Sequence, residues 1–383
     1  MGQVESEAPP VRASTTSCLV QPNYTRFEPP FADLAVFGDT LSDVGNSYMM
    51  ATGARVPGFK GRFTGEVVAV VWATAELKVS ICVHSASSLS LTTSLLSLRS
   101  PDGLTWIEYV QRHLGLPEVY ASMNGGTNYA YGGATTSSDF IHSLDGVPSV
   151  SEQVDEYLQS KDELSPDTLH VIMAGRSDYL RYVEAGLAAS DKGTGEGSVA
   201  NHTHVYFTVA SEVIRQVQRL HDAGGRQFLV GNVPNSISRG KDEHDVYDTL
   251  LFGHNAVLST ELEVSSAELD SFQQTHSDTT IYYIDVDSAF GCIDEHSNEL
   301  GFTNVVDPCR NSETEEECSN PFNYKYWDDG ENPTTHVHHY LSQVVLQAMY
   351  EREELADCDK KKKRQAQTQH LRRRFDRLES KYS

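Results

Sequence analysis

The sequence predicts an α/β protein built on a doubly wound parallel sheet with helices on both faces. Short apolar runs, each followed by a glycine or a polar turn, alternate along the chain with longer segments whose apolar residues recur at helical spacing. Strands that alternate with helices of ten or more residues form βαβ units, whose strands are parallel. The chain has 383 residues, 39% of them hydrophobic, which is enough for one large α/β domain or two ordinary ones.

Four apolar runs are interpreted as buried strands. The first, Leu34–Phe37, is followed by the turn residues Gly38 and Asp39, and the second ends just before Gly175. Because the carboxyl ends of parallel strands meet at one edge of a sheet, we expect ligands to bind at the turns that follow these runs. The other three strands are Leu169–Met173, Phe228–Val230 and Thr280–Val286.

Four segments are interpreted as helices. The clearest is Tyr206–Ala223, in which Val209, Val213 and Val217 share one helical face and Gly224 marks the end. The others are part of a short amphipathic helix at Val154–Leu158, a long helix over Leu251–Phe272 and a closing helix over His338–Tyr350.

Charge is distributed unevenly along the chain. The formal net charge is −24, but the segment from Asp359 to Ser383 has ten Lys or Arg against three Asp or Glu and therefore carries +7. The remainder is thus close to −31, and a body of this charge repels a phosphate backbone, so we expect no nucleic acid among its partners. The basic runs are interpreted as a solvated, partly helical tail; a localisation signal or a site for acidic surfaces is the alternative.

The six cysteines indicate a surface disulfide rather than a metal site. Cys309 and Cys318 flank a polar, acidic loop, which is typical of a disulfide in a secreted enzyme, with two free thiols as the alternative. No cysteine pair has the spacing of a zinc site with nearby histidines, so no metal is expected.

Two stretches do not fit the α/β pattern. Residues 1–30 form an irregular lead-in without the apolar stretch of a signal peptide. Residues 67–99 include a low-complexity Ser, Leu and Thr tract with neither a helical nor a strand period. We expect no membrane span there, because Glu76 and Lys78 interrupt the segment well short of the ~20 apolar residues required.

Four ordered strings follow predicted strands or lie in late loops. The most specific, Phe-Gly-Asp-Thr-Leu-Ser-Asp-Val-Gly-Asn, covers residues 37–46 and predicts a strand, a sharp turn and a helix. A hydroxyl at Thr40 would then lie at a helix N-terminus, where backbone N–H groups favour developing negative charge. The other strings are Gly-Thr-Asn-Tyr-Ala-Tyr-Gly-Gly-Ala at 126–134, Ala-Gly-Arg-Ser-Asp-Tyr at 174–179 and Trp-Asp-Asp-Gly-Glu-Asn-Pro-Thr-Thr-His at 327–336.

From about Phe31 to Gln347, these strings resemble the sequence blocks of the GDSL, or SGNH-type, lipases and acylhydrolases, and fungal acetylesterase-like members in particular. The resemblance implies one flavodoxin-like SGNH-hydrolase domain over residues 31–350, followed by a basic tail over 351–383. It implies hydrolysis of a small-molecule ester with a short acyl group on a sugar or lipid, without metal or cofactor. A monomer is expected, and extracellular localisation follows from the family although residues 1–30 contain no signal peptide.

The resemblance assigns candidate roles to the residues of the first three strings. Thr40 stands where the family has its nucleophilic serine, and its added methyl group crowds the hydroxyl. The oxyanion hole would comprise the backbone N–H of Thr40, the backbone N–H of Gly133, preferred to Gly132, and Ser177. Ser177 replaces an asparagine whose side chain donates to the oxyanion in the family, and loss of one such donor typically costs ~10²–10³ in rate.

The fourth string leaves the general base open. In the family, an aspartate three residues before a histidine orients its ring, and Asp328 or Asp329 would do so here. Counted from Asp328, the base position holds Glu331; counted back from the following proline, it holds Asn332. Neither is histidine. Glu331 is a candidate substitute base, as is His336; ordinary packing on the closing helix is the alternative for His336.

Three interpretations follow from these replacements. The chain is an active ester hydrolase, a catalytically impaired or ligand-binding relative on the same fold, or a misassembled gene product. The third is favoured by residues 67–99, whose flanks, Gly61–Glu66 and Pro101–Glu108, resemble a continuous family stretch when joined directly. We interpret residues 67–99 as intron-derived sequence, with a genuine surface insertion as the alternative.

Overall fold

The four predicted strands form one parallel sheet. In the computed structural model, the described residues are 28–52, 103–191, 202–235, 241–262, 272–276, 278–311, 314, 316–328 and 332–353. Within these residues the sheet has the order β1-β2-β3-β4. The strands are β1 (Asp33–Gly38), β2 (Thr168–Met173), β3 (Gln227–Gly231) and β4 (Thr280–Ile284).

A short extended segment at residues 127–131 continues the sheet on the outer side of β1. The Val36 N–H donates to the Thr127 carbonyl (2.9 Å), and the Tyr129 N–H donates to the Val36 carbonyl (2.7 Å). The second extended element in the chain therefore lies on the opposite side of β1 from β2. This reversal of winding direction is that of a flavodoxin-like sheet and confirms the predicted fold class.

Helices connect the strands and cover both faces of the sheet. Leu34 and Val36 of β1 share a buried cluster with α2, α8 and α9, whereas Ala35 and Phe37 pack with α3, α5 and α6. The alternation of side chains along a strand therefore places helices on both faces, as predicted. The helices are α1 (Asn46–Thr52), α2 (Trp106–Leu114), α3 (Val150–Gln159), α4 (Arg176–Asp191), α5 (His202–Asp222), α6 (Lys241–Leu262), α7 (Phe272–Thr275), α8 (Val286–Glu295) and α9 (residues 335–353).

The structure corrects two predicted boundaries. Strand β4 ends at Ile284 rather than Val286, because the Asp285 side chain accepts from the Ser288 N–H (3.0 Å) and caps α8. The helix predicted over Leu251–Phe272 is displaced toward the N-terminus, since α6 begins at Lys241 and ends at Leu262.

The predicted disulfide between Cys309 and Cys318 is confirmed, with a Cα–Cα distance of 4.9 Å. It closes the acidic loop that precedes the fourth string. Residues 1–27, the whole of the 67–99 segment and the tail beyond residue 353 lie outside the described residues, so the interpretations of these stretches stay predictions.

Helix α3 holds the carboxyl end of β1 through a buried amide. The Gln153 Oε1 atom accepts from the Gly38 N–H (2.9 Å), and its Nε2 atom donates to the Gly38 carbonyl (3.0 Å). Gln153 is fully buried. The two bonds satisfy both backbone groups of the last β1 residue, so they fix the strand end from which the following turn starts.

We predict that Gln153→Ala lowers the free energy of unfolding by about 1–3 kcal/mol, because the buried Gly38 N–H loses its side-chain acceptor and the Gly38 carbonyl keeps only the Tyr131 N–H. Urea denaturation measures the change. The matched control is Gln159→Ala on the exposed surface of the same helix, with an expected change of about 0.5 kcal/mol or less. Equal effects of the two substitutions would contradict the role given to Gln153.

Candidate active site

The turn after β1 requires glycine because β1 and β2 end against each other. A Cβ atom at Gly38 would clash with the Met173 carbonyl at the end of β2. The Asp39 N–H donates to the same carbonyl (3.3 Å), and a short 3₁₀ turn over Thr40–Ser42 follows at once. Thr40 is therefore presented at the carboxyl edge of the sheet, where ligands are expected to bind.

A buried polar network joins this turn to the glycine-rich loop at residues 126–134. The Asp43 carboxylate accepts from the N–H groups of Gly45 (2.7 Å), Asn46 (2.8 Å) and Gly132 (3.0 Å). The Asn46 side chain donates to the carbonyls of Asn128 (2.7 Å) and Ala130 (3.0 Å). Because every bond lies in the interior, the network holds the two loops in one relative position.

The same network decides which glycine faces Thr40. The Gly132 N–H is occupied by Asp43 and by the Ser47 hydroxyl (2.8 Å). The Gly133 N–H instead donates to Thr40 Oγ1 (3.3 Å). Gly133 has a left-handed backbone (φ +78°), and a Cβ there would clash with Leu144. The geometry supports Gly133 over Gly132 as a backbone donor at the candidate nucleophile.

The third string begins α4 beside this turn. Arg176 is its first helical residue, and Ser177, at 6% exposure, is buried. Asp178 accepts from both the backbone N–H (2.9 Å) and the hydroxyl (2.9 Å) of Thr136, which ties α4 to the loop after Gly133. The string is thus brought to Thr40 as predicted from the chain order.

Asp328 and Asn332 form a hydrogen-bonded pair near the end of the chain. The Asn332 side-chain amide donates to Asp328 Oδ1 and Oδ2, at 3.0 Å each, and its backbone N–H donates to Oδ1 (3.3 Å). Both residues are buried. The Asp328 carboxylate therefore has a buried amide partner in Asn332. Asp329 and Glu331 lie outside the described residues.

The first, third and fourth strings meet at one cleft, whose lining includes Thr40, Arg176, Asn232, Phe290 and Asn332 but no residue of the second string. The lining thus combines the turns after β1, β2 and β3 with α8 and the segment before α9. Thr40 and Asn332 share the cleft, whereas its lining among the described residues does not include Ser177.

A family model for the GDSL-like lipase/acylhydrolase family matches residues 34–345 of the chain. The chain belongs to this family. The match spans the sheet and the helices on both of its faces, and it supports ester-bond hydrolysis as the family's general chemistry. No curated protein sequence matches the chain significantly.

His336 lies apart from the residues that line this GDSL-family cleft. Its ring stacks on Phe302 with centroids 4.2 Å apart, and its Nδ1 atom lies 2.6 Å from the Phe322 carbonyl. Burial lowers the pKa of His336. These contacts give the ring a packing partner and a backbone partner on α9, and the structure does not bring it to Thr40.

Sequence reasoning missed two polar residues of the lining, Arg176 and Asn232. Asn232 follows β3, donates to Asp285 Oδ1 (2.9 Å) and accepts from the Asp287 N–H (3.0 Å), so it holds the start of α8. The position of Asn232 directly after the third strand is the sequence signal that could have identified it as a lining residue. Arg176 lies inside the third string, directly before Ser177.

No helix among the described residues is both long and apolar enough to cross a membrane.

Two buried carboxyl groups lie beside the turn. Burial raises the pKa of Asp39 to about 6, although the Arg176 guanidinium and the backbone N–H groups around Asp39 lower it in part. Burial raises the pKa of Asp178 to about 8, against the hydrogen bonds from Thr136, and the negative charge of Asp39 raises it further. Asp178 is therefore largely protonated at neutral pH and acts there as a structural group.

We predict that Asp178 makes a contribution to the free energy of unfolding that falls as pH rises from about 4 to about 8. Asp178 has a raised pKa in the folded chain, so between its usual value of 3.8 and about 8 the folded state binds a proton that the unfolded state has lost. Raising the pH in this window therefore favours unfolding.

Urea denaturation of Asp178→Asn across this pH range tests the assignment. The variant should lose part of the slope, on the order of 1 kcal/mol per pH unit, because it removes one titrating group. The control is Asp145→Asn, which changes an exposed carboxylate. A wild-type slope retained in full by Asp178→Asn contradicts the prediction.

Proposed function

We propose that this GDSL-family chain binds esters with short acyl groups, such as acetylated sugars or lipids, and hydrolyses them at a strongly reduced rate. The observation that carries the proposal is the Asp328–Asn332 pair in the same cleft as Thr40. An asparagine amide can donate to the aspartate as a histidine does, but it cannot accept a proton from an attacking hydroxyl.

Acyl transfer in this cleft would begin with attack of Thr40 Oγ1 on the ester carbonyl. The negative charge would develop on the carbonyl oxygen, where the backbone N–H groups of Thr40 and Gly133 are the proposed donors. The 3.3 Å contact between Gly133 N–H and Thr40 Oγ1 supports their nearness. In this scheme Asp328 orients Asn332, and solvent water takes the proton of Thr40 because no described group accepts it. The alcohol then leaves as the carbonyl re-forms, and a water molecule releases the acid from Thr40.

The expected rate of ester hydrolysis depends on which parts of the catalytic site remain and which are replaced. An enzyme that lacks one member of its catalytic triad still accelerates the reaction only ~10³–10⁴-fold over water, because its oxyanion hole and its substrate binding remain. The changes at Thr40, Ser177 and Asn332 do not add, because the first loss already removes most of the catalysis. The alternative is a ligand-binding relative without turnover, which the same pair would also favour.

Hydrolysis of p-nitrophenyl acetate by the full chain distinguishes these functions. We expect a slow wild-type rate above that of uncatalysed hydrolysis, of which Thr40→Ala retains at most the part due to the oxyanion hole and binding. We expect Thr40→Ser combined with Asn332→His to raise kcat by ~10²–10⁴, the range typical of a restored general base. The matched control is Thr40→Ser combined with Asn332→Gln, which has the serine but no base.

Each outcome has a defined meaning. A wild-type rate equal to that of uncatalysed hydrolysis would support ligand binding without turnover and overturn the proposal of residual hydrolysis. If the histidine variant is no faster than the glutamine control, Asn332 does not occupy the base position.

A further inference from the structure

The Cys309–Cys318 disulfide lies at one side of a small set of paired backbone segments that reaches the cleft. Besides the covalent bond, the Cys318 N–H donates to the Cys309 carbonyl (2.6 Å). Arg310, the next residue, pairs antiparallel with Glu317. The disulfide therefore fastens two segments of this disulfide ladder to each other. The disulfide ladder comprises residues 309–311, 316–318, 326–328 and 332–333.

The inner side of the disulfide ladder contains Asn332. The Cys309 N–H donates to the Tyr326 carbonyl (3.0 Å), and the Arg310 N–H donates to the Trp327 carbonyl (2.8 Å). The Trp327 N–H in turn donates to the Asn332 carbonyl (2.7 Å). Consecutive backbone hydrogen bonds thus connect the disulfide to a residue that lines the cleft.

Two residues of the cleft lining, Asn332 and Pro333, belong to the disulfide ladder. Pro333 pairs antiparallel with Tyr326, and both lining residues share the cleft with Thr40. Asp328, which accepts from the Asn332 side chain, follows in the same segment as Tyr326. Short paired segments of this kind are only marginally stable in water, and a covalent cross-link limits the conformations that their open form can adopt.

We propose that Cys309 and Cys318 are positioning residues, whose disulfide holds Asn332 and Pro333 on the cleft lining and whose reduction weakens ligand binding there. A dithiol is the reductant. The S–S bond of the protein breaks, two cysteine thiols form, and the dithiol is oxidised to its own disulfide, so two electrons and two protons pass to the protein. The effect on binding rests on the function proposed above, whereas the effect on the disulfide ladder does not.

Amide hydrogen exchange of the full chain measures the disulfide ladder directly. Cys309→Ser combined with Cys318→Ser should raise the exchange rates of the Trp327 and Thr334 amides about tenfold to a hundredfold, the range expected when a short loop loses its cross-link. The Thr334 N–H is a suitable reporter because it donates to a carbonyl beside the disulfide ladder, that of Lys325 (3.0 Å). Amides of β1 and β3 should exchange as in wild type, because their hydrogen bonds lie within the sheet.

Dithiothreitol provides a second comparison. It should accelerate exchange at Trp327 in wild type and cause no further rise there in the double variant. Cys292 of α8 is disulfide-bonded as well, so the reductant alone does not identify the bond responsible. A rise at Trp327 that needs dithiothreitol and is absent from the untreated double variant therefore assigns the effect to the bond of Cys292 and overturns the proposal.

Calorimetric titration with butyranilide, a stable amide analogue of an ester with a short acyl group, tests the consequence at the cleft. The double variant should bind butyranilide about tenfold more weakly than the oxidised wild type. The reason is that binding must then order Asn332 and Pro333, which the disulfide orders in advance in wild type. Circular dichroism confirms that the variant is folded.

The outcomes separate this proposal from the one on which it rests. Unchanged exchange at Trp327 in the double variant overturns the positioning role. An equal rise at Trp327 and in β1 overturns it too, because the disulfide then stabilises the whole fold. Faster exchange at Trp327 with unchanged affinity for butyranilide overturns the role at the cleft. If the oxidised wild type binds no butyranilide, the proposed ester-binding function fails together with the effect on binding, and hydrogen exchange still decides whether the disulfide holds the ladder.

Discussion

The buried hydrogen bonds of Asp43 and Asn46 are the constraint on which the site depends. They join the turn after β1 to the loop at residues 126–134. A buried hydrogen-bond network lowers the stability of the fold when some of its polar groups lack partners, and it is rigid when all of them are paired. Here it fixes the Gly133 N–H against Thr40, so the site geometry is a consequence of folding rather than of substrate binding.

The same constraint explains how the scaffold tolerates altered chemistry. The network involves neither Thr40, Ser177 nor Asn332, so replacements at those three positions leave the connection between the loops intact. Asn332 even keeps the hydrogen bonds to Asp328 that hold its segment in place. A chain can therefore keep the cleft of an ester hydrolase while its proton transfer is impaired.

The sequence predicted the sheet and the convergence of the four strings, because apolar runs and turn residues are local signals. It did not predict the strand-like segment at 127–131, which has no apolar run and pairs only through tertiary contact with β1. It also left Glu331 and Asn332 as alternatives, since an extra residue in the loop shifts the spacing. The structure shows Asn332 hydrogen-bonded to Asp328, a contact that is not visible in a linear pattern, and Glu331 lies outside the described residues.

The central claim is that Thr40 has a formed site around it but that no group among the described residues takes its proton. Labelling with an alkyl fluorophosphonate, which reacts with activated hydroxyls, measures this directly by intact mass and peptide mapping. The account predicts very slow labelling of wild type and rapid labelling at residue 40 when Thr40→Ser is combined with Asn332→His. Rapid, stoichiometric labelling of Thr40 in the wild-type chain would contradict it.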